Sequence, residues 1–286
     1  YRAYNRNKFS RFIPDSILKK LRPRILDHIY DSQDQEIGII SRIHIGDEKS
    51  RDLISGIGKI KKQNIKYLIL EEIELFDKEE INLIEMETNL KILDGINAII
   101  YFFPIVFEEY IREKEILIFN DDKEITKKLI LSLSKKVKSI TLIEDDEDIV
   151  EEIYDFVLEK TGLSIFHSKN INKILKNYSI IINFNNNTKI DGKRIRKEAL
   201  IFDFSLGKGL KVYLRNTRKE IIEDFIFKTE SLDIVENNWI GIQVNSSIYE
   251  YFNNFKIGDF QGLLVNGEVY TPKDFINGKI RHLKRL

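Results

Sequence analysis

The sequence predicts an α/β protein built on a doubly wound, mainly parallel sheet. Three observations predict it. Short apolar runs alternate with amphipathic stretches along most of the chain, which is the order strand, helix, strand. The runs carry Ile, Leu and Phe at successive positions, so the strands must be covered on both faces. Five such runs fall between Glu115 and Ser205, a spacing that leaves only right-handed crossovers between neighbouring parallel strands.

The elements follow in order. The opening stretch, YRAYNRNKFSRFIPDSILKKLRPR, is strongly basic, with Asp15 its sole acid, and predicts a basic helical segment over 1–35 with a helix between Pro14 and Pro23. Because the chain opens at Tyr1 within apparently ordered sequence, this segment reads as the remainder of a longer N-terminus. EIGIISRI predicts a strand, 48–63 a helix, IKYLILEE a strand, 77–89 a helix opened by Asp77, and LKILDG a short strand. Residues 96–114 predict one long connecting helix. Its apolar run holds Pro104 and falls well short of the roughly 20 residues needed to span a bilayer.

A second and clearer run follows. EILIFN, SITLIE, LSIFHS, SIIINF and LIFDFS predict strands, with helices over 122–137, 147–161, 170–177 and 192–199 between them. Asp122 caps the first of these helices, and Gly162 closes the second. Beyond Leu210 the pattern loosens. KVYLRN and EDFIFKTE predict strands, 246–255 a helix, and LLVNGEVYT a hairpin turning at Asn266-Gly267. The organisation expected is a basic segment (1–35), a first α/β domain (36–112), a Rossmann-like domain (113–210) and a C-terminal α+β element (211–286).

Composition narrows the function classes. Among 286 residues, 46 Lys+Arg balance 46 Asp+Glu, which removes any general attraction to nucleic acid or an anionic membrane. The absence of Cys excludes disulfides, thiolate metal sites and a cysteine nucleophile. A cytoplasmic protein is the default expectation, and the Ile-, Lys- and Asn-rich composition fits a bacterial low-GC genome.

In open parallel sheets ligands bind beyond the carboxyl ends of the strands. The residues there are mostly acidic or amide: Asn120 to Asp122, Glu144 to Asp146, Asn183 to Asn187 and Ser205 to Gly209. With these residues in view, 113–210 resembles the NAD(P)-binding half of the shikimate dehydrogenase-like oxidoreductases. ITLIE ends in Glu144 where that family places its ribose-reading acid or amide, IIINFN resembles its strand ending in Asn, and ALIFDFSLGKG resembles its strand followed by Asp. The resemblance implies a dinucleotide at this edge, with Asn183 near the nicotinamide and Asp203 as a structural acid. The cofactor-binding candidates are Asn120, Glu144, Asn183, Ser205 and Lys208.

The departures from the family are specific. Where its glycine-rich turn follows the first strand, this chain reads Asn120-Asp121-Asp122-Lys123-Glu124-Ile125. No glycine lets the backbone approach a diphosphate, and Asp121 and Asp122 repel one. Leu206 and Lys208 replace the Tyr and Pro expected after Asp203, and no catalytic Lys and Asp pair is identified in the first run. The missing glycines count equally against methyltransferases of this architecture. TLIEDDEDIVEEIYDFVLEKTG resembles the opening of a receiver domain, with Asp145 and Asp146 as its acids, but Asn183 replaces the phosphoacceptor.

Other motifs read as structure. Ser55-Gly56-Ile57-Gly58-Lys59 lacks the flanking residues of a phosphate loop and reads as a small-residue helix face packed on a strand. Gly207-Lys208-Gly209 reads as a turn that could cradle an anion. None of His28, His44, His167 and His282 has metal-ligand spacing; His44, beside Ser41 and Asp47, is the sole acid–base candidate. The acids of 144–152 suit a helix N-terminus without a metal. Catalytic residues are therefore unassigned and no metal is assigned. The expectation is a non-catalytic or atypical small-molecule-binding or regulatory protein that has lost the phosphate turn, its ligand at the carboxyl edge of the second sheet. One alternative is an NAD(P)-dependent oxidoreductase with an altered site; the other is an interaction module docking through the basic N-terminus and residues 279–285.

Overall fold

The computed structural model describes residues 22–62, 64–169, 171–230, 232–235 and 239–283. Its strands are β1 (Arg24–Tyr30), β2 (Glu36–Arg42), β3 (Tyr67–Leu68), β4 (Lys91–Ile92), β5 (Glu115–Phe119), β6 (Ser139–Ile143), β7 (Phe166–His167), β8 (Ile180–Asn183), β9 (Leu200–Asp203), β10 (Ile222–Lys228), β11 (Gln243–Asn245), β12 (Phe260–Val265) and β13 (Glu268–Tyr270). The chain divides into two compact units, Tyr1–Gly95 with Lys228–Asn253, and Ile96–Phe227 with Asn254–Leu286.

The second unit carries the large sheet, in the order β13-β12-β10-β9-β8-β5-β6-β7. From β10 to β7 every pairing is parallel. Counted from β5, the strands therefore lie in the order 3-2-1-4-5-6, the doubly wound dinucleotide-fold arrangement, with its switch point between β5 and β8. The central strands are buried on both faces, as their unbroken apolar runs require. One face packs Leu117, Ile181, Ile201, Leu210, Leu214 and Ile221 into a single cluster. On the other, Phe202 meets Phe103 and Phe107, from the segment that includes the helix Ile96–Val106, at ring separations of 4.9 and 5.0 Å. Successive residues Ile201 and Phe202 thus serve opposite layers, as the period of a strand dictates.

Beyond β9 the sheet continues. β10 is parallel to β9, β12 antiparallel to β10, and β12 and β13 form the expected hairpin, with φ of 52° at Asn266 and 84° at Gly267. Caps also fall where the sequence places them. Asp77 forms a capping box with Glu80, Asp122 accepts from the Glu124 and Ile125 amides, and Gly162 ends its helix in the left-handed conformation.

In the first unit β1 to β4 form two separate pairs, antiparallel β1-β2 and parallel β3-β4, instead of one continuous sheet. Residues 24–30, expected within a helical segment, are strand. A short turn joins them to β2, and such a turn permits only an antiparallel pair. Asp31 builds that turn by accepting from the Gln33 and Gln35 amides at 2.9 and 2.8 Å. The core of this unit gathers Ile43, Leu53, Ile57, Leu70, Phe76 and Ile84. Gly56 packs on Ile43, where a Cβ would sit 2.3 Å from Cγ2, so the close helix contact expected of the SGIGK stretch is made at Gly56, while Gly58 faces open space.

Three further expectations are corrected. KVYLRN is not a strand but lies largely within the helix Gly209–Leu214, because Leu210 and Leu214 are both buried at helical spacing. Residues 192–199 form only a 3-10 turn, Gly192–Arg194, since the buried Ile190 and Ile195 lie five apart and cannot share a helix face. The long helix over 96–114 is two, Ile96–Val106 and Glu108–Ile111. Pro104, without an N–H, weakens the ladder just before the break. The expected helix between Pro14 and Pro23 lies almost wholly outside the described residues. At the other end, the helix Pro272–Leu283 buries Lys279, so the C-terminal basic cluster loses that cation as a docking group. Among the described residues no helix is long and apolar enough to cross a membrane.

Candidate functional site

All five candidates lie at the carboxyl edge of the parallel sheet, at or beyond the ends of β5, β6, β8 and β9, and the sheet register sets their order. Phe119 pairs with Ile143 on one side and Asn183 on the other, and Asn183 pairs with Asp203. Asn120, Glu144, Asn183 and Ser205 are thereby brought to one edge, astride the switch point.

Their polar groups face one another. Asn120, 2% exposed, donates from Nδ2 to Glu144 Oε2 at 2.5 Å and accepts from Thr126 Oγ1 at 2.5 Å. The other Glu144 oxygen accepts from the Asp145 and Asp146 amides at 2.8 and 3.1 Å, and His167 Nε2 lies 2.8 Å from the Glu144 carbonyl oxygen. Across the switch point, Asn183 is fully buried. It donates to Asp203 Oδ1 at 2.8 Å and to the Asn185 carbonyl at 3.0 Å, and accepts from Thr188 Oγ1 at 2.6 Å. Asn185 joins the two halves by donating to the Asn120 carbonyl at 3.1 Å.

Asp203 carries a second cluster. Its Oδ1 also accepts from Ser205 Oγ at 2.6 Å, and its Oδ2 from the Lys211 amide at 2.7 Å, at the start of the helix Gly209–Leu214. Lys208 is left-handed, with φ of 50°, and its ammonium donates to the Asp203 and Glu223 carbonyls at 3.1 and 2.9 Å. The Gly207 amide donates to Asn186 Oδ1 at 2.6 Å. Gly209 lies so close to the same residue that a Cβ would sit 1.9 Å from the Asn186 carbonyl oxygen. The Asn185-Asn186-Asn187 stretch, legible in sequence only as a turn, therefore ties β5, β8 and the turn after β9 together.

The turn after β5 decides what this edge can hold. In dinucleotide folds the diphosphate takes up the free amides of the helix N-terminus that follows the first strand. Here the Asp122 carboxylate already accepts from the Glu124 and Ile125 amides at 2.9 and 3.1 Å. The nearest cations are engaged as well. Lys123 and Lys127 each lie 2.6 Å from Glu152, which holds the Glu152 carboxyl below its ordinary range and the Lys127 ammonium above its own. The side chains of this turn do not fit a dinucleotide in its usual pose. His28 pairs with Glu36 at 3.2 Å, Asp52 accepts from the Gly46 amide beyond His44, and among the described residues no His, Asp and Glu group could hold a metal.

No protein-family model matches the chain, and no curated protein matches it. Among solved structures it is similar to a dipicolinate synthase subunit from Bacillus halodurans (11% identity, 49% of this chain, 53% of that chain, TM-score 0.34). It is also similar to quinate dehydrogenase from Corynebacterium glutamicum in complex with NAD (9%, 44% and 51%, TM-score 0.33). Shikimate 5-dehydrogenase from Listeria monocytogenes, with shikimate and NAD, gives 10%, 63% and 73%, with a TM-score of 0.35. The chain spans about half the length of the first two. Likeness at this level carries no argument about chemistry; the Rossmann-type fold rests on the strand order itself.

Proposed function

We propose that this chain is a non-catalytic Rossmann-type protein, a binding or regulatory module whose phosphate turn has become a structural joint. The observation that carries this reading is the Asp122 carboxylate seated on the Glu124 and Ile125 amides, where a diphosphate would otherwise be held. The network around it supports the same reading. Asn120, Asn183 and Ser205 are buried and spend their side-chain polar groups on Glu144 and Asp203. Lys208, the cation expected to meet an anion, is bound to two carbonyls. A ligand entering here would have to break several satisfied hydrogen bonds, each left unpaired at a cost of about 1–3 kcal/mol.

A thermal-shift titration tests the reading. NAD⁺, NADP⁺, NADH, NADPH and S-adenosylmethionine at millimolar concentration should leave the unfolding midpoint unchanged. A ligand at a hundred times its dissociation constant adds about 2.7 kcal/mol, a shift of several degrees. Such a shift with any dinucleotide, abolished by Lys208→Ala, would return the chain to the oxidoreductases.

A further inference from the structure

The first unit contains a partly open cavity of about 710 Å³, walled by β1 and β2, the helix Lys49–Ile60, the β3 segment and residues 239–252. All of its lining lies within that one unit. The volume is that of a site for a single small organic ligand. Branched aliphatic side chains dominate the wall, among them Ile29, Ile57, Leu68 and Ile248, and Tyr67 and Tyr251 meet edge to face at 5.9 Å within it.

A second observation makes the cavity more than a gap in packing. β2 carries three isoleucines, Ile37, Ile39 and Ile40, yet each of them is only half-buried, whereas β8 and β9 are buried throughout. Ile37, Ile39 and Ile40 border the cavity, so among the described residues the apolar surface that the sequence provides there is left for something else to cover.

The charges on the lining indicate what that is. Glu36 is held by Lys62 at 2.5 Å and by His28, Lys61 donates to the Thr88 carbonyl at 2.6 Å, and Glu71 has a partner of its own. Lys66, exposed beside β3, makes no ion pair or side-chain hydrogen bond among the described residues. An apolar cavity with a lysine that has no side-chain partner among the described residues complements an apolar tail ending in a single negative charge. We propose that this cavity binds a free long-chain fatty acid, its chain along β2 and its carboxylate at Lys66. The assignment is independent of the dinucleotide edge, which lies in the other unit, so either can fail without the other.

The chain supplies its own reporter, because Trp239 lines the cavity and is the sole tryptophan. Titrating the full chain with cis-parinaric acid while exciting tryptophan should give saturable one-to-one energy transfer, displaced by oleate. Lys66→Glu should weaken parinarate about tenfold, yet leave its uncharged methyl ester nearly unaffected. Ile248→Phe, which fills the cavity from the helix Ser246–Phe252, should weaken both acid and ester, with its thermal midpoint recorded to show that it folds. No saturable transfer in the native chain overturns the proposal. So does a Lys66→Glu protein that binds parinarate as tightly as the native one.

Discussion

Asn120→Asp converts the central hydrogen bond of the sheet edge into a clash of like charges. Asn120 is 2% exposed, and its Nδ2 lies 2.5 Å from Glu144 Oε2. In the variant an oxygen replaces that nitrogen, while Glu144 cannot turn away because its other oxygen is held by the Asp145 and Asp146 amides. Two full charges at that separation repel by about 7 kcal/mol at an effective dielectric of about 20, an upper bound. The protein escapes most of this by binding one proton between the two carboxyls, because like charges so close together cannot both stay ionised. The expected loss is about 3 kcal/mol at pH 7.5. A carboxyl pair whose folded pKa lies above the unfolded value contributes fully below the unfolded pKa and loses that contribution as pH rises through the folded one. The deficit should therefore shrink to about 1 kcal/mol or less at pH 4.5. Urea unfolding at both pH values, read by circular dichroism, measures it, and adding Glu144→Gln should restore most of the loss at pH 7.5. A deficit under about 0.5 kcal/mol at pH 7.5, or one that does not change with pH, would refute the hydrogen-bond geometry on which the reasoning rests.

Three more outcomes follow from the same structure. Burial lowers the Lys279 amine to about 8, although it donates to the Ala199 carbonyl at 2.9 Å and stands 5.0 Å from the Phe275 ring centroid. Its folded pKa lies below the unfolded one, so the unfolded chain binds more protons between pH 8 and about 10.4, and stability rises with pH through that window. The rise is about 3 kcal/mol, and Lys279→Met should remove it from the difference between the two proteins' pH profiles. Asp122→Ala should cost about 1 kcal/mol in chemical denaturation by uncapping the helix Lys123–Leu133. If that variant then gains millimolar affinity for inorganic diphosphate by calorimetry, the capping carboxylate is what closes the edge; no gain assigns the closure to Asp121 and the engaged lysines. Gly209→Ala should destabilise by about 1–3 kcal/mol, because the added methyl would lie 1.9 Å from the Asn186 carbonyl oxygen and the loop must shift. A neutral effect on the urea midpoint would show that the loop yields freely.

How much of this was legible in the sequence differs between the two units. In the second, continuous apolar runs bounded by caps at Asp122 and Gly162 specify the parallel strands, the helices after β5 and β6 and their crossovers from local information, whereas 96–114, 192–199 and KVYLRN take forms that the local pattern does not specify. The edge residues could be located because a parallel sheet brings its strand ends to one side. Their roles could not, since Asn120 meets Glu144 across 24 positions of chain and Asn185 meets the Asn120 carbonyl across 65. Asn185 and Asn186 had no signal beyond turn chemistry, yet they join the two halves of the edge.

The first unit shows the opposite case. EIGIISR reads as strand by composition, but RILDHIY lies in a stretch whose basic character predicts a helical segment, and its antiparallel pairing depends on the five-residue turn at Asp31, which the Asp side chain itself closes. In the second unit, too, KVYLRN reads as strand by its branched and aromatic residues until Leu210 and Leu214 are both buried, and that burial selects the helix. The sequence by itself determined the fold class, the caps, the turn at Asn266-Gly267 and the loss of the phosphate glycines, because each is a matter of neighbouring residues. Only the tertiary structure decided that Asp122 occupies the helix amides in their stead, that Lys208 and Lys279 are tied to carbonyls, and that an apolar cavity lies beside β2. Each of those depends on which distant side chains meet once the chain has closed around its core.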